Sequence, residues 1–126
     1  MAQMQILIVD DKPNVRVGIR MLLQKHVDWN ICGEAGDGIE AIRLAAAHQP
    51  DVILLDISMP RMDGLTALPL IREKSPGSQI VVLTLHESLE TARAASRVGA
   101  HAYIAKSLIG ELLPALEALR PEQRLS

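Results

Sequence analysis

Aromatic side chains are nearly absent from this chain, which has one tryptophan, one tyrosine and no phenylalanine among its 126 residues. The core must therefore be aliphatic, and there is little of the stacking surface on which single-stranded nucleic-acid binders hold bases. Cysteine is equally scarce, since Cys32 is the only one. A single cysteine excludes a disulfide framework and multi-cysteine metal sites, and it is consistent with a reducing compartment.

The chain also lacks a strong charge of either sign and a long apolar run. Its formal net charge is −2, and lysine and arginine are scattered along the sequence. The sequence therefore predicts no basic surface that would bind the phosphate backbone of a nucleic acid. No apolar run approaches the roughly 20 residues that a membrane-spanning helix needs, and no signal-peptide pattern is recognised. We therefore expect a cytoplasmic protein that, by itself, binds neither nucleic acid nor a membrane.

The sequence does contain five short apolar runs, each followed by a helical pattern. The runs lie at residues 6–9, 29–34, 52–55, 80–83 and 102–105. This alternation predicts an α/β fold, a doubly wound five-stranded parallel sheet with five helices on its two faces. Because the run at 29–34 is the least apolar, we expect it at a sheet edge. Residues 1–120 should form one domain, and the polar residues 121–126 a tail or the start of a linker.

Several helix boundaries can be predicted from capping and proline signals. Pro13 suits the first turn of the first helix, and Asp37-Gly38 and Asp63-Gly64 should introduce the second and third. Pro69 falls in the third helix, near its predicted start, where a lost donor costs less. Pro114 falls inside the predicted last helix, which carries Leu108, Leu112, Leu116 and Leu119, and should weaken or bend it.

Reactive side chains stand where the predicted strands end. These are Asp10 and Asp11 after the first strand, Asp56 at the end of the third, Thr84 at the end of the fourth and Lys106 after the fifth. The carboxyl ends of parallel strands share one edge of the sheet, so these groups should meet. Three close carboxylates repel one another unless a cation offsets their charge, and Mg²⁺ with oxygen ligands fits best. A nucleophile, a cation and donors are the parts that phosphoryl transfer requires, with Asp56 as the nucleophile.

Other interpretations share parts of this pattern. Any single polar residue at a strand end could be a solvated terminus. A metal-dependent phosphatase would need a second acid two residues after Asp56, where Ser58 stands, and a cap over the site. A flavodoxin-like cofactor binder would need a phosphate-cradling loop after the first strand, where Asp10 and Asp11 stand and would repel phosphate. The strand ends taken together favour a phosphoacceptor.

The motifs resemble the receiver domain of bacterial two-component response regulators. The likeness spans about residues 4–119 and is carried by Asp10-Asp11, by LLDISMPRMDG around Asp56, by Thr84 and by Tyr103-Ile104-Ala105-Lys106. It implies a sheet in the order 2-1-3-4-5. It also implies a switch rather than an enzyme, in which Asp56 takes a phosphoryl group from the phosphohistidine of a histidine kinase and later loses it slowly by autodephosphorylation.

The same resemblance implies roles for the other site residues. Asp11, Asp56 and the Ser58 carbonyl would bind Mg²⁺ directly, and Asp10 would act mainly through water. Thr84 and Lys106 would hold the phosphoryl group. If phosphorylation draws the Thr84 hydroxyl inward, Tyr103 is the side chain able to fill the space released, so these two residues form the expected switch. A homodimer formed on phosphorylation is a further expectation.

Finer details are similar to the NarL/FixJ-like subgroup, through DDKPNVRVGIRMLL and the pair Lys106-Ser107. Members of that subgroup usually continue into a helix-turn-helix module, which predicts control of transcription by a domain outside this chain. The alternative is a free-standing receiver that shuttles phosphoryl groups or binds a partner.

Three residues depart from the family pattern. Ser107 replaces a common proline, often preceded by a cis bond, Leu85 replaces a smaller alanine and narrows access to the site, and Pro114 alters the last helix. His86 could contact an attacking water or cap its loop.

Overall fold

The computed structural model describes residues 3–84 and 88–119, except for the side chains of residues 107–109. The strands are β1 (Met4–Val9), β2 (Trp29–Ala35), β3 (Val52–Asp56), β4 (Gln79–Thr84) and β5 (Ala102–Ala105). The helices are α1 (Pro13–Leu23), α2 (Gly38–His48), α3 (Gly64–Lys74), α4 (Leu89–Arg97) and α5 (Leu112–Glu117), and a 3₁₀ helix (Lys106–Glu111) precedes α5. All five predicted strands and the alternation with helices are present.

The strands form one parallel sheet in the order β2-β1-β3-β4-β5. This confirms the predicted order, and the order places β1 and β3 side by side at the centre. Ile6 pairs with Val52 at one end of that contact, and Asp56 pairs with Leu83 in the next strand. The carboxyl ends of β1, β3 and β4 therefore meet at one edge.

Alternate residues of the central strands pack on opposite faces of the sheet. Ile6 and Ile8 belong to a buried cluster with residues of α1 and α5, whereas Leu7 and Val9 belong to a cluster with residues of α2, α3 and α4. The alternation follows from the two-residue period of a strand. Both faces are covered by helices, which explains why these strands are apolar at nearly every position.

Strand β2 lies at the sheet edge, as its weaker apolar pattern predicts, because it pairs only with β1. The register shifts between Ile6 and Leu7, so that Cys32 is an extra residue in β2. Its thiol is half-buried and lies 3.5 Å from the Ile6 carbonyl oxygen, and burial raises the pKa of the thiol above its ordinary value. Cys32 is thus a small packing residue.

The predicted helix starts are confirmed. Pro13 is the first residue of α1, where its missing N–H is not needed. The side chains of Asp37 and Asp63 cap α2 and α3, accepting hydrogen bonds of 2.8 Å from the backbone N–H groups of Glu40 and Thr66. These two caps fix where α2 and α3 begin.

Two proline predictions need correction. Pro69 is the sixth residue of α3 and lies in its interior, not near its start. The helix continues because Ala67, Leu68 and Ile71 are fully buried beside it, and this packing outweighs one lost hydrogen bond. The predicted last helix is split into a 3₁₀ helix and α5, so Pro114 is the third residue of α5, where an α-helix does not require its N–H.

Some sequence predictions fall outside the described residues. These are the proposed effects of Leu85 and His86 and the tail at 121–126. No peptide bond among residues 3–84 and 88–119 is cis. Within the same ranges, no helix has the length and apolar character needed to cross a bilayer.

Candidate functional site

Three aspartates converge where β1 and β3 end. Carboxylate oxygens of Asp10, Asp11 and Asp56 all lie within 4.8 Å of one another. Asp10 and Asp56 are almost completely buried, at 1% and 3% exposure, because Asp10 directly follows β1 and Asp56 ends β3, and both strands are covered on both faces. The sequence placed these residues at one sheet edge, and the parallel pairing of β1 with β3 brings them together.

Lys106 is the buried cation of this cluster. Its Nζ lies 2.5 Å from Asp10 Oδ2 and 3.4 Å from Asp56 Oδ1, and its side chain is only 8% exposed. It enters from β5 because that strand ends at Ala105, opposite Thr84. One ammonium does not balance three carboxylates, so the cluster keeps an excess of negative charge.

Two carboxylate oxygens of the cluster have no hydrogen-bond partner among the described residues. These are Asp11 Oδ1 and Asp56 Oδ2, and both are buried. Lys12 Nζ approaches Asp11 Oδ1 only to 3.7 Å, from a side chain that is 48% exposed. Buried acceptors without donors are costly. These two oxygens belong to neighbouring carboxylates, and such a pair could bind a hard divalent cation.

The protonation of Asp56 reflects its surroundings. Burial raises the pKa of its carboxyl above the ordinary value, the Lys106 ammonium opposes this rise, and the Asp10 charge adds to it. Burial is the largest of these effects, because a charged carboxylate loses its hydration in the closed strand end. A bound cation would favour the charged form that a nucleophile needs.

The loop that follows Asp56 folds back tightly onto it. Gly64 donates its N–H to the Ile57 carbonyl at 2.8 Å, and a Cβ added at Gly64 would lie 2.2 Å from the Asp56 carbonyl oxygen. Only glycine therefore fits where α3 begins. Ser58 is exposed in this loop, and Met59 packs against the core.

Thr84 and Tyr103 lie on neighbouring strands. Thr84 is buried at the end of β4, and Tyr103 pairs with Val82 two residues earlier in the same strand. Tyr103 is half-buried and lines a cavity of about 190 Å³ with Ala92 and Ser96 of α4. The space beside Tyr103 lies between α4 and β5, where the proposed switch would act.

Two arginines near the site were not predicted from the sequence. Arg16 of α1 donates to the Asp10 carbonyl at 2.5 Å and to Glu34 of β2 at 3.1 Å, so it holds the backbone of the acidic pair. Arg61, in the loop after Asp56, forms an ion pair with Asp37 at the start of α2. Both residues lie inside the quoted motifs, but nothing in those motifs marks them as contacts near the site, because their partners become neighbours only in the folded sheet.

The sequence matches a known family over most of its length. The sequence model of the response regulator receiver domain matches residues 6–117. The chain is 41% identical over 112 residues to the nitrate/nitrite response regulator protein NarL of Escherichia coli, which covers 88% of this chain and 52% of that protein. It is 37% identical over 122 residues to YxjL of Bacillus subtilis, an uncharacterized transcriptional regulatory protein, with 97% of this chain and 55% of that protein covered.

The fold is similar to that of solved structures. The crystal structure of a LuxR-family two-component response regulator from Aurantimonas sp. SI85-9A1 superposes with a TM-score of 0.88 and 34% identity, covering 94% of this chain and 85% of that one. The chain spans about half the length of the curated relatives YxjL and NarL.

Proposed function

Because this chain belongs to the response regulator receiver domain family, in its NarL/FixJ-like subgroup, we propose that it is a phosphorylation-dependent switch with Asp56 as its phosphoacceptor. The acidic cluster is the observation that carries this proposal, since Asp11 and Asp56 each present a buried oxygen with no hydrogen-bond donor in the part of the chain that the structure describes. Such a pair suits Mg²⁺, which receiver domains generally bind at an acidic pocket.

Each residue of the cluster has a separate role in the proposed phosphoryl transfer. Asp11, Asp56 and the Ser58 carbonyl would hold the metal ion, which supplies charge neutralisation when bound. An Asp56 carboxylate oxygen forms a bond to phosphorus while the bond from phosphorus to the kinase's histidine nitrogen breaks, and the electron pair returns to the imidazole. Lys106 stabilises the negative charge, and the Thr84 hydroxyl donates to a phosphoryl oxygen. Asp10 holds Lys106 in place.

The relatives support a proposal for the partners and the output. We infer that a histidine kinase supplies the phosphoryl group and that residues 1–120 are the receiver unit, with 121–126 leading toward an output domain. The relatives named above as regulators, together with their greater length, support control of transcription as that output. Slow autodephosphorylation, a cytoplasmic location and a homodimer formed on phosphorylation are part of the same proposal.

A small phosphodonor tests the phosphoacceptor. Incubation with acetyl phosphate and Mg²⁺ should add one phosphoryl group to the intact mass, because the cluster needs no kinase to align Asp56 with its own cation and lysine. The added mass should be absent after EDTA treatment and in Asp56→Asn. Persistent labelling of Asp56→Asn would show that another residue is the acceptor.

A further inference from the structure

Arg61 has an unusual backbone conformation in the loop after the phosphoacceptor. Its φ of +66° lies in the left-handed region, which glycine enters freely and arginine only at a cost in free energy. A residue persists in such a conformation when its surroundings determine its position. Contacts outside the local backbone therefore stabilise Arg61 there.

Asp37 supplies such a contact. Arg61 Nη2 donates to Asp37 Oδ2, and the Asp37 side chain is only 4% exposed, whereas that of Arg61 is 70% exposed. The other carboxylate oxygen of Asp37 accepts the Glu40 backbone N–H at 2.8 Å. The carboxylate is thus fixed by the first turn of α2, and Arg61 is tied through it to a regular element of the fold.

The same loop meets α2 a second time. Gly38 donates its N–H to the Met62 carbonyl at 3.0 Å, and a Cβ added at Gly38 would lie 2.7 Å from that oxygen. At its end the loop is closed by the hydrogen bond from Gly64 to Ile57. Loop 57–63 is therefore held both at its ends and, through Arg61 and Met62, along its length.

We propose that Arg61 is a positioning residue: its ion pair with Asp37 fixes loop 57–63 so that the Ser58 carbonyl stays in place for a divalent cation beside Asp56. This inference rests on the proposed function, which makes the loop part of the Mg²⁺ site. Arg61 acts through the loop and touches neither the cation nor the phosphoryl group. Its positive charge alone would weaken cation binding, whereas its positioning role strengthens it, so the two effects differ in sign.

Three variants separate positioning from charge and from backbone strain. Arg61→Gln removes the ion pair and the charge, Arg61→Gly also removes the strain, and Arg43→Gln removes an equal charge from an exposed position of α2. Calorimetric titration should show Mg²⁺ affinity lowered roughly tenfold in both Arg61 variants, the lower end of what supporting partners of metal ligands contribute. Affinity in Arg43→Gln should match the wild type. Amide exchange at Gly38 should accelerate in the Arg61 variants alone.

The outcomes distinguish this role from the proposed function. Unchanged or tighter Mg²⁺ binding in both Arg61 variants, with normal binding by the wild type, would overturn the positioning role and leave the function standing. If Arg61→Gln lost Mg²⁺ affinity but Arg61→Gly bound Mg²⁺ as tightly as the wild type, the loss would come from backbone strain. That result would also overturn the positioning role. A wild-type protein that binds no Mg²⁺ would overturn both. Thermal unfolding of each variant verifies that it is folded.

Discussion

Asp10 and Asp11 are adjacent in sequence but differ in their partners. Asp10 uses both carboxylate oxygens, one with the Lys12 backbone N–H at 2.9 Å and one with Lys106. Asp11 has a buried oxygen with no hydrogen-bond donor among the described residues. The resemblance assigned direct metal binding to Asp11, and this difference in free oxygens supports that assignment.

The first prediction compares two variants that each remove one negative charge. Asp11→Asn should weaken Mg²⁺ binding more than Asp10→Asn, because the former changes a carboxylate proposed to bind the ion directly and the latter one whose oxygens are already paired with Lys12 and Lys106. We expect the difference to be on the order of tenfold or more. Calorimetric titration measures both affinities, and equal losses would contradict the division of roles.

The second prediction concerns the pH dependence of stability through Asp56. Burial raises the pKa of its carboxyl above the value of 3.8. The folded state therefore binds this proton more tightly than the unfolded state does. The contribution of the protonated Asp56 carboxyl to the free energy of unfolding is lost as the pH rises from 3.8 through the raised pKa. Without metal, Asp56→Asn should be more stable than the wild type at neutral pH. The difference between their free energies of unfolding should become smaller toward pH 3.8.

Denaturant unfolding in EDTA at a series of pH values measures this gap. Asp63→Asn is the control, because it removes a carboxylate that caps α3 from outside the cluster. A wild type as stable as Asp56→Asn at neutral pH would show that the buried carboxylate is not destabilising.

At the scale of elements, the junction between β3 and α3 depends on Gly64. A side chain there would lie 2.2 Å from the Asp56 carbonyl oxygen, so the third prediction is that Gly64→Ala destabilises the fold by roughly 1–3 kcal/mol, the usual cost of forcing atoms into a packed region. Gly18→Ala is the matched control, because nothing lies within 4 Å of its Cβ position. It lies inside α1 and should stabilise by about 0.5–1 kcal/mol.

Urea unfolding of both variants tests this expectation. The phosphoryl-accepting rate of Gly64→Ala should also fall, since the backbone of Asp56 must move. Equal stability of the two alanine variants would show that the loop yields without cost.

Strands β4 and β5 carry Thr84 and Tyr103, the two residues of the expected switch. Thr84 pairs with Ala105 and Val82 with Tyr103, so a movement of Thr84 is adjacent to the strand that carries Tyr103. The fourth prediction is that beryllofluoride, a phosphoryl mimic, changes backbone NMR shifts around Tyr103 in the wild type. In Thr84→Ala these distant shifts should shrink markedly, because the hydroxyl that is drawn inward is gone. Full-sized shifts in Thr84→Ala would rule out the hydroxyl as the transmitter.

At the scale of the whole molecule, the proposed metal site would link ion binding to folding. A cation that binds only the folded cluster stabilises the fold by about 2.7 kcal/mol at 100 times its Kd. The fifth prediction is that Tm rises steadily with Mg²⁺ concentration in the wild type and much less in Asp11→Asn. Calorimetric melting at constant ionic strength measures this, and an equal rise in both proteins would indicate a general salt effect.

Much of the fold was predictable because its signals are local. Buried parallel strands read as apolar runs, and the capping residues Asp37 and Asp63 bond to backbone groups only three positions away. Proline effects were less predictable. Whether Pro69 ends α3 depends on the packing of Leu68 and Ile71, and whether Pro114 bends a helix depends on where the 3₁₀ helix ends.

The sequence by itself determined which groups stand at the strand ends, and the rule that parallel strands end at one edge was enough to expect Asp10, Asp11, Asp56 and Lys106 together. Only the tertiary structure decided which oxygens are paired and which are free. It also introduced Arg16 and Arg61, whose partners lie 18 and 24 positions away in sequence. Contacts of this kind depend on the distance between elements, and no local pattern of residues encodes that distance.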